Sequence, residues 1–264
     1  MQLIEITSIL EKIAPLSSAA PWDNSGIQVA CRRTSATSLA VCLDPTPTSV
    51  RRSLDIDAQY IVSHHPLLLK PALPNRLDAY HEVLRLLFNA DVPLYAAHTS
   101  LDANPEGPAA WLARELNLVN LSVLEPTSPA PAAGGLPTGF GFAGDLPCAR
   151  TLEAIISTLA RHINLSSAVL CGVTPETVTR VAYCTGSGSS LLAAAQRAGA
   201  QLFITGDVKY HTALTAEICL LDVGHHSLEE EMMRRLSLVL QQQLPLLTVS
   251  FVPSESPMRP LVLA

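Results

Sequence analysis

Basic side chains are scarce in this sequence. Lys and Arg number 17 against 23 Asp and Glu, the formal net charge is −6, and no stretch gathers them into a stripe. With aromatics at 5% as well, the composition argues against nucleic-acid binding as the main business of the chain. No apolar run reaches the length of a membrane span. The opening Met1-Gln2-Leu3-Ile4-Glu5 lacks both a basic n-region and an apolar h-region. The six cysteines, at positions 31, 42, 148, 171, 184 and 219, form no C-x-x-C pair and read as reduced thiols of a cytoplasmic protein. H-E-x-x-H and G-x-S-x-G are missing too, which removes the usual zinc-protease and serine-hydrolase readings.

What is present is apolar. Hydrophobic residues make up 48% of the chain, enough for a sizeable core and for apolar surface that favours an oligomer. One short sentence is written twice. His98-Thr99-Ser100-Leu101-Asp102 and His225-His226-Ser227-Leu228-Glu229 each follow an apolar run that ends in a small residue. A weaker echo accompanies it: Ala40-Val41-Cys42 with Ala182-Tyr183-Cys184, and the stretch 58–63 with 200–205, at one common offset. The pattern predicts an α/β fold of two similar lobes from an internal duplication, with the functional residues beyond the carboxyl ends of strands. The first lobe is expected over 1–125 and the second over 138–264. The Pro/Ala/Gly-rich stretch 126–137 reads as a linker. Within the lobes the periodicity predicts helices over 3–13, 78–90, 106–117, 209–218 and 227–243, and strands at 60–63, 93–97, 119–124, 219–223 and 246–252.

His64 and His65 stand in tandem at the end of one such strand. Adjacent residues of an extended segment point to opposite sides, so the pair is better placed to grip two neighbouring ions than to chelate one. His225 and Glu229, four apart at a helix start, share a face, and a glutamate can bridge two ions. His64, His65, Asp102, His225 and Glu229 together supply five ligands for two divalent ions at a site between the lobes. Mixed imidazole and carboxylate suits zinc, iron, manganese, cobalt or nickel alike. His98 is either a ligand itself or, the preferred reading, orients a ligand or a bound water, and His226 is expected to stand beside the site. Asp102 read alone also suits a helix cap. Asp207 either hydrogen-bonds a ligand histidine or caps a helix. The run Thr185-Gly186-Ser187-Gly188-Ser189-Ser190 either cradles an anion with its amides or makes a tight turn and helix cap. His81, His162 and His211 read as structural.

At these residues the chain resembles the Nif-three-like dinuclear-metal proteins, the homologues of GTP cyclohydrolase I type 2. The resemblance is carried by Trp22-Asp23-Asn24-Ser25-Gly26-Ile27-Gln28-Val29, Ser63-His64-His65-Pro66, His98 to Asp102, Thr205-Gly206-Asp207-Val208-Lys209-Tyr210-His211 and Gly224 to Glu229. It implies a toroidal homohexamer with metal centres facing an internal cavity. It implies the same five ligands, with Glu229 shared by both ions and His98 close by. The implied activity is metal-dependent hydrolysis of a nucleotide or other phosphorylated small molecule, or else a non-catalytic metal-binding scaffold. His226 departs from the residue usual at its position, which leaves open which imidazole of that pair binds. The extra domain of longer relatives is absent.

Overall fold

The computed structural model describes residues 1–261. In chain order the elements are α1 (Leu3–Ile13), β1 (Gly26–Val29), β2 (Ser38–Cys42), α2 (Pro47–Asp55), β3 (Ile61–Ser63), α3 (Ala79–Ala90), β4 (Leu94–Ala96) and α4 (Thr99–Asp102). There follow α5 (Trp111–Glu115), β5 (Val119–Pro126), β6 (Gly139–Arg150), α6 (Leu152–Leu159), β7 (Val169–Cys171) and β8 (Val178–Ser187). The last are α7 (Leu192–Arg197), β9 (Leu202–Gly206), α8 (Tyr210–Leu214), β10 (Cys219–Asp222), α9 (His225–Gln243) and β11 (Thr248–Phe251).

The chain divides into two compact units. One comprises Met1–Leu101 with Met232–Glu255, the other Asp102–Glu231 with the chain end from Ser256. The boundary therefore falls at 101/102 and again at 231/232, not at 125, and residues 262–264 lie outside the described part. The expected linker is a hairpin connection: β5 and β6 on either side of it pair antiparallel in one sheet. Pro, Ala and Gly suit such a loop as well as a linker, and composition alone does not tell the two apart. The expected helix over 106–117 is cut by Pro105, Gly107 and Pro108 into a short 3-10 turn and α5.

In the first unit the strand order is β1-β4-β3-β2-β11, with β4, β3, β2 and β11 parallel and β1 antiparallel at the edge. Strands β3 and β4 are buried along their whole length, as sheets covered on both faces require. Ala40, Cys42, Ile61 and Leu94 from the sheet pack with Val50 of α2 and with Val83 and Leu87 of α3. In the second unit the order is β5-β6-β8-β9-β10-β7, and only β8, β9 and β10 run parallel. Its core joins Ala143, Ala182, Phe203 and Leu220 with Leu192 and Ala195 of α7.

The same local geometry recurs in both units. Ala40 pairs with Ile61 and Val41 with Val62, while Ala182 pairs with Phe203 and Tyr183 with Ile204, at a constant offset along both strands. The Gln59 carbonyl accepts the backbone N–H and hydroxyl of Thr37, and the Gln201 carbonyl accepts those of Thr179. Even the turns agree: Asp57 and Gly199, the corresponding positions, both have positive φ. The match slips once. Ala97 bonds to Ser63 as Val223 bonds to Thr205, so His98 corresponds in register to Gly224. One extra residue, Gly224 at φ +82°, delays the second histidine until the first position of α9.

Candidate metal centre

Every candidate ligand of the first unit lies just past the carboxyl end of a parallel strand. His64 and His65 follow β3, and His98 follows β4. Ligand atoms of His64, His65 and His98 all lie within 4.8 Å of one another, close enough to hold a metal ion. His64 is fully buried. Its Nδ1–H donates to the carbonyl of Ala97 at 2.8 Å. His65 Nδ1–H donates to Asp44 at 2.7 Å, and His98 Nδ1–H to Asp23 at 2.6 Å. A carbonyl or ionised carboxylate can only accept, so the proton of each neutral ring is fixed on Nδ1 and the lone pair on Nε2. That is how metal-binding imidazoles are oriented elsewhere.

Asp23 is the most heavily bonded of these partners. Its side chain is fully buried. It accepts from His98, from the Ser25 and Thr99 hydroxyls, and from the Asn24 and Thr99 backbone. Burial alone would raise its pKa, but the hydrogen bonds from His98, Ser25 and Thr99 more than offset that and hold it well below the usual carboxylate range.

The second unit carries its own cluster, assembled around the end of β8. Thr185 donates its hydroxyl to Asp102 Oδ1 at 3.1 Å. Next to it, Gly186 has φ +60°, and a Cβ there would lie 1.9 Å from Glu229 Oε1 and 3.3 Å from His225 Nε2. Only a glycine admits the Glu229 carboxylate at this point. His225 lies between two acids: Nδ1 is 2.7 Å from Asp207 and Nε2 is 2.8 Å from Glu229. Burial would lower its pKa, yet the bonds and charges of Glu229 and then Asp207 push it up to about 9. In the ion-free protein the ring is therefore an imidazolium that donates to both acids. Cys184, beneath the cluster, is pushed far above the usual thiol range by burial and by the Asp102 and Glu229 charges, so its thiol is inert.

These contacts bear on several of the open alternatives. Asp102 accepts from the Thr185 hydroxyl, and the Asn104 side chain accepts from the Glu106 N–H. Asp207 meets His225, while α8 begins at Lys209 with no side-chain cap. The Gly188 amide donates to the Thr205 hydroxyl, and the loop starts against the Asp102 and Glu229 carboxylates, a setting that favours the turn reading. His226 turns to Glu230 at 3.8 Å. His162 lies 3.0 Å from Glu115. Sequence reasoning missed Asp44 and gave Asp23 no role. Asp44 lies two residues past the end of β2, as His98 lies two past the end of β4. At the repeat offset it corresponds to Gly186.

A family model described as Duf34/NIF3 (NGG1p interacting factor 3) matches residues 1–258. A Clostridium perfringens protein named GTP cyclohydrolase 1 type 2 homolog is 28% identical over 249 residues, covering 92% of this chain and 93% of its own. The Drosophila melanogaster NIF3-like protein 1 is 31% identical over 220 residues, 81% of this chain and 72% of that one. Among solved structures, a Staphylococcus aureus protein superposes with a TM-score of 0.86 at 24% identity, covering 99% of each chain. That likeness shows the shared fold. No helix among the described residues is long and apolar enough to cross a membrane.

Proposed function

The chain belongs to the Duf34/NIF3 family, and on that premise we propose that it is a metal-dependent hydrolase with a dinuclear centre. The proposed ligands are His64, His65, Asp102, His225 and Glu229, with the Glu229 carboxylate shared by both ions. The observation that carries the reading is the common state of four imidazoles: His64, His65, His98 and His225 each commit Nδ1 to an oxygen acceptor. Such a donor set fits borderline divalent ions such as zinc, iron, manganese, cobalt or nickel. When bound, such ions activate water and polarise a carbonyl or phosphoryl oxygen. The chain's own part is orientation. Asp44, Asp23 and Asp207 hold three rings in place, and Thr185 does the same for Asp102. The substrate class is a nucleotide or other phosphorylated small molecule, as the names of the relatives suggest.

The repeated strand register and glutamine brackets support an origin by internal duplication. Apolar surface such as Ile4, Leu77 and Leu246 supports a homo-oligomer, which we assign as a toroidal hexamer. Six cysteines that form no disulfide agree with a cytoplasmic protein. The family description, an interacting factor, favours a second reading: a metal-binding oligomer that docks a partner protein without turnover.

Elemental analysis of the purified protein is expected to find about two divalent ions per chain, and fewer than one would refute the dinuclear reading. Glu229→Gln is expected to weaken both ions, whereas loss of a single ion would make Glu229 a ligand of that ion alone. A screen of metal-loaded protein over nucleotides and phosphoesters then decides between enzyme and scaffold. Turnover lost in Glu229→Gln supports the first, and metal binding without turnover supports the second.

A further inference from the structure

Trp22 is 62% exposed, an unusual place for an indole on a loop this well anchored. The loop does not owe that exposure to slack. On one side the Ala20 N–H donates to the Thr99 hydroxyl, and on the other the buried Asp23 carboxylate is held by its ring of donors. Beyond Asp23 the Asn24 amide donates to the Leu68 carbonyl, two residues after the tandem histidines and their proline. The indole so presented lies 5.8 Å, centroid to centroid and edge-on at 73°, from the imidazole of His98. His98 in turn lies 5.1 Å from His64 and 5.5 Å from His65 by the same measure. A molecule whose reacting atom sits over the three imidazoles therefore has Trp22 within one ring's width. Exposed indole costs hydration free energy and offers a flat face, and planar heterocycles recover that cost by stacking on it.

We propose that Trp22 is the binding platform for a planar heteroaromatic group of the ligand, a purine or pterin ring, whose remaining part reaches the histidine cluster. The inference rests on the ligand-binding reading of that cluster and adds the chemical class of what binds. It makes Trp22 a specificity residue, with no part in proton transfer.

The chain has two tryptophans, and Trp111 is fully buried, so collisional and ligand quenching report on Trp22. Metal-loaded wild-type protein is titrated with guanosine, adenosine and cytidine monophosphates and with a pterin, and ribose 5-phosphate serves as the ring-free control. Saturable quenching by at least one ring compound, and none by ribose 5-phosphate, is expected. Trp22→Leu is expected to keep its metal content but weaken binding of that compound, measured by equilibrium dialysis, about tenfold or more, while Trp22→Phe recovers part of it. Unchanged binding in Trp22→Leu overturns the proposal, as does an indole shielded from acrylamide in the native assembly, which would make it an interface residue. Metal-loaded wild type that binds no ring compound also overturns it and leaves the metal reading standing. Quenching that survives in a metal-free His65→Ala protein would sink the metal link instead and keep the stacking.

Discussion

Gly186→Ala is the sharpest test of the cluster in the second unit. The added Cβ would lie 1.9 Å from Glu229 Oε1 and 2.9 Å from its Cδ, where real side-chain carbons stay beyond 3.0 Å. The carboxylate must retreat by about 1 Å or more. Metal–oxygen bonds tolerate about 0.2 Å. The same retreat breaks the 2.8 Å contact with His225, so the His225 pKa is expected to fall from its raised value toward the ordinary one. Backbone cost is separate: alanine at positive φ costs roughly 1–2 kcal/mol. Gly199→Ala isolates it, because φ there is +74° and the nearest atom to its Cβ is Arg180 Cδ at 3.9 Å. Both variants are expected to lose similar stability in urea titration, less any relief from moving Glu229. Gly186→Ala alone is expected to bind metal about 10- to 100-fold more weakly, read by competition with a chromophoric chelator. Wild-type metal affinity in Gly186→Ala would refute the claim that this glycine makes room for the ligand.

Three further outcomes are expected. His225, raised to about 9 in the ion-free protein, must lose its proton to bind metal, so metal uptake at pH 7 is expected to release protons and to strengthen with pH up to about 9. Calorimetry in buffers of different ionisation enthalpy measures it. Without metal the sign reverses for stability: a pKa raised from 6.5 stabilises the ion-free fold below about pH 6.5, and that gain is lost as pH rises through 9. Asp23→Asn is expected to lower metal affinity at the histidine cluster about tenfold or more and to remove the stabilisation that a depressed carboxylate gives above its unfolded pKa, seen as a lower melting temperature at pH 7 than wild type. Gln59→Ala and Gln201→Ala are each expected to cost about 1 kcal/mol in equilibrium unfolding, because the two brackets are alike.

The histidines and their strand ends were legible in the sequence because each follows a short apolar run of the kind that makes a buried strand. Tandem His64-His65 and the spacing of His225 and Glu229 then carried the chemistry. Asp44 was not legible, since an acid after Leu43 and before Pro45 has the look of an ordinary turn residue, and its bond to His65 joins segments far apart in sequence. Gly186 hid in a loop whose glycines suggested a phosphate cradle. What that loop accommodates is a side chain arriving from α9, and no local pattern encodes that. β6 went unread because Gly139, Gly141 and Gly144 dilute the alternation that marks a strand. The stretch 126–137 read as a linker for the same reason, because with β6 unread the hairpin between β5 and β6 had one visible arm.

Each of the four imidazoles commits its Nδ1 to an oxygen of its own unit, His64, His65 and His98 in the one and His225 in the other, so the aim of each ring is chosen before any cation arrives. Loading and unloading then demand no re-tautomerisation or ring flip, only the exchange of a proton at His225 for a cation. It follows that empty and loaded forms should superpose almost atom for atom around these side chains.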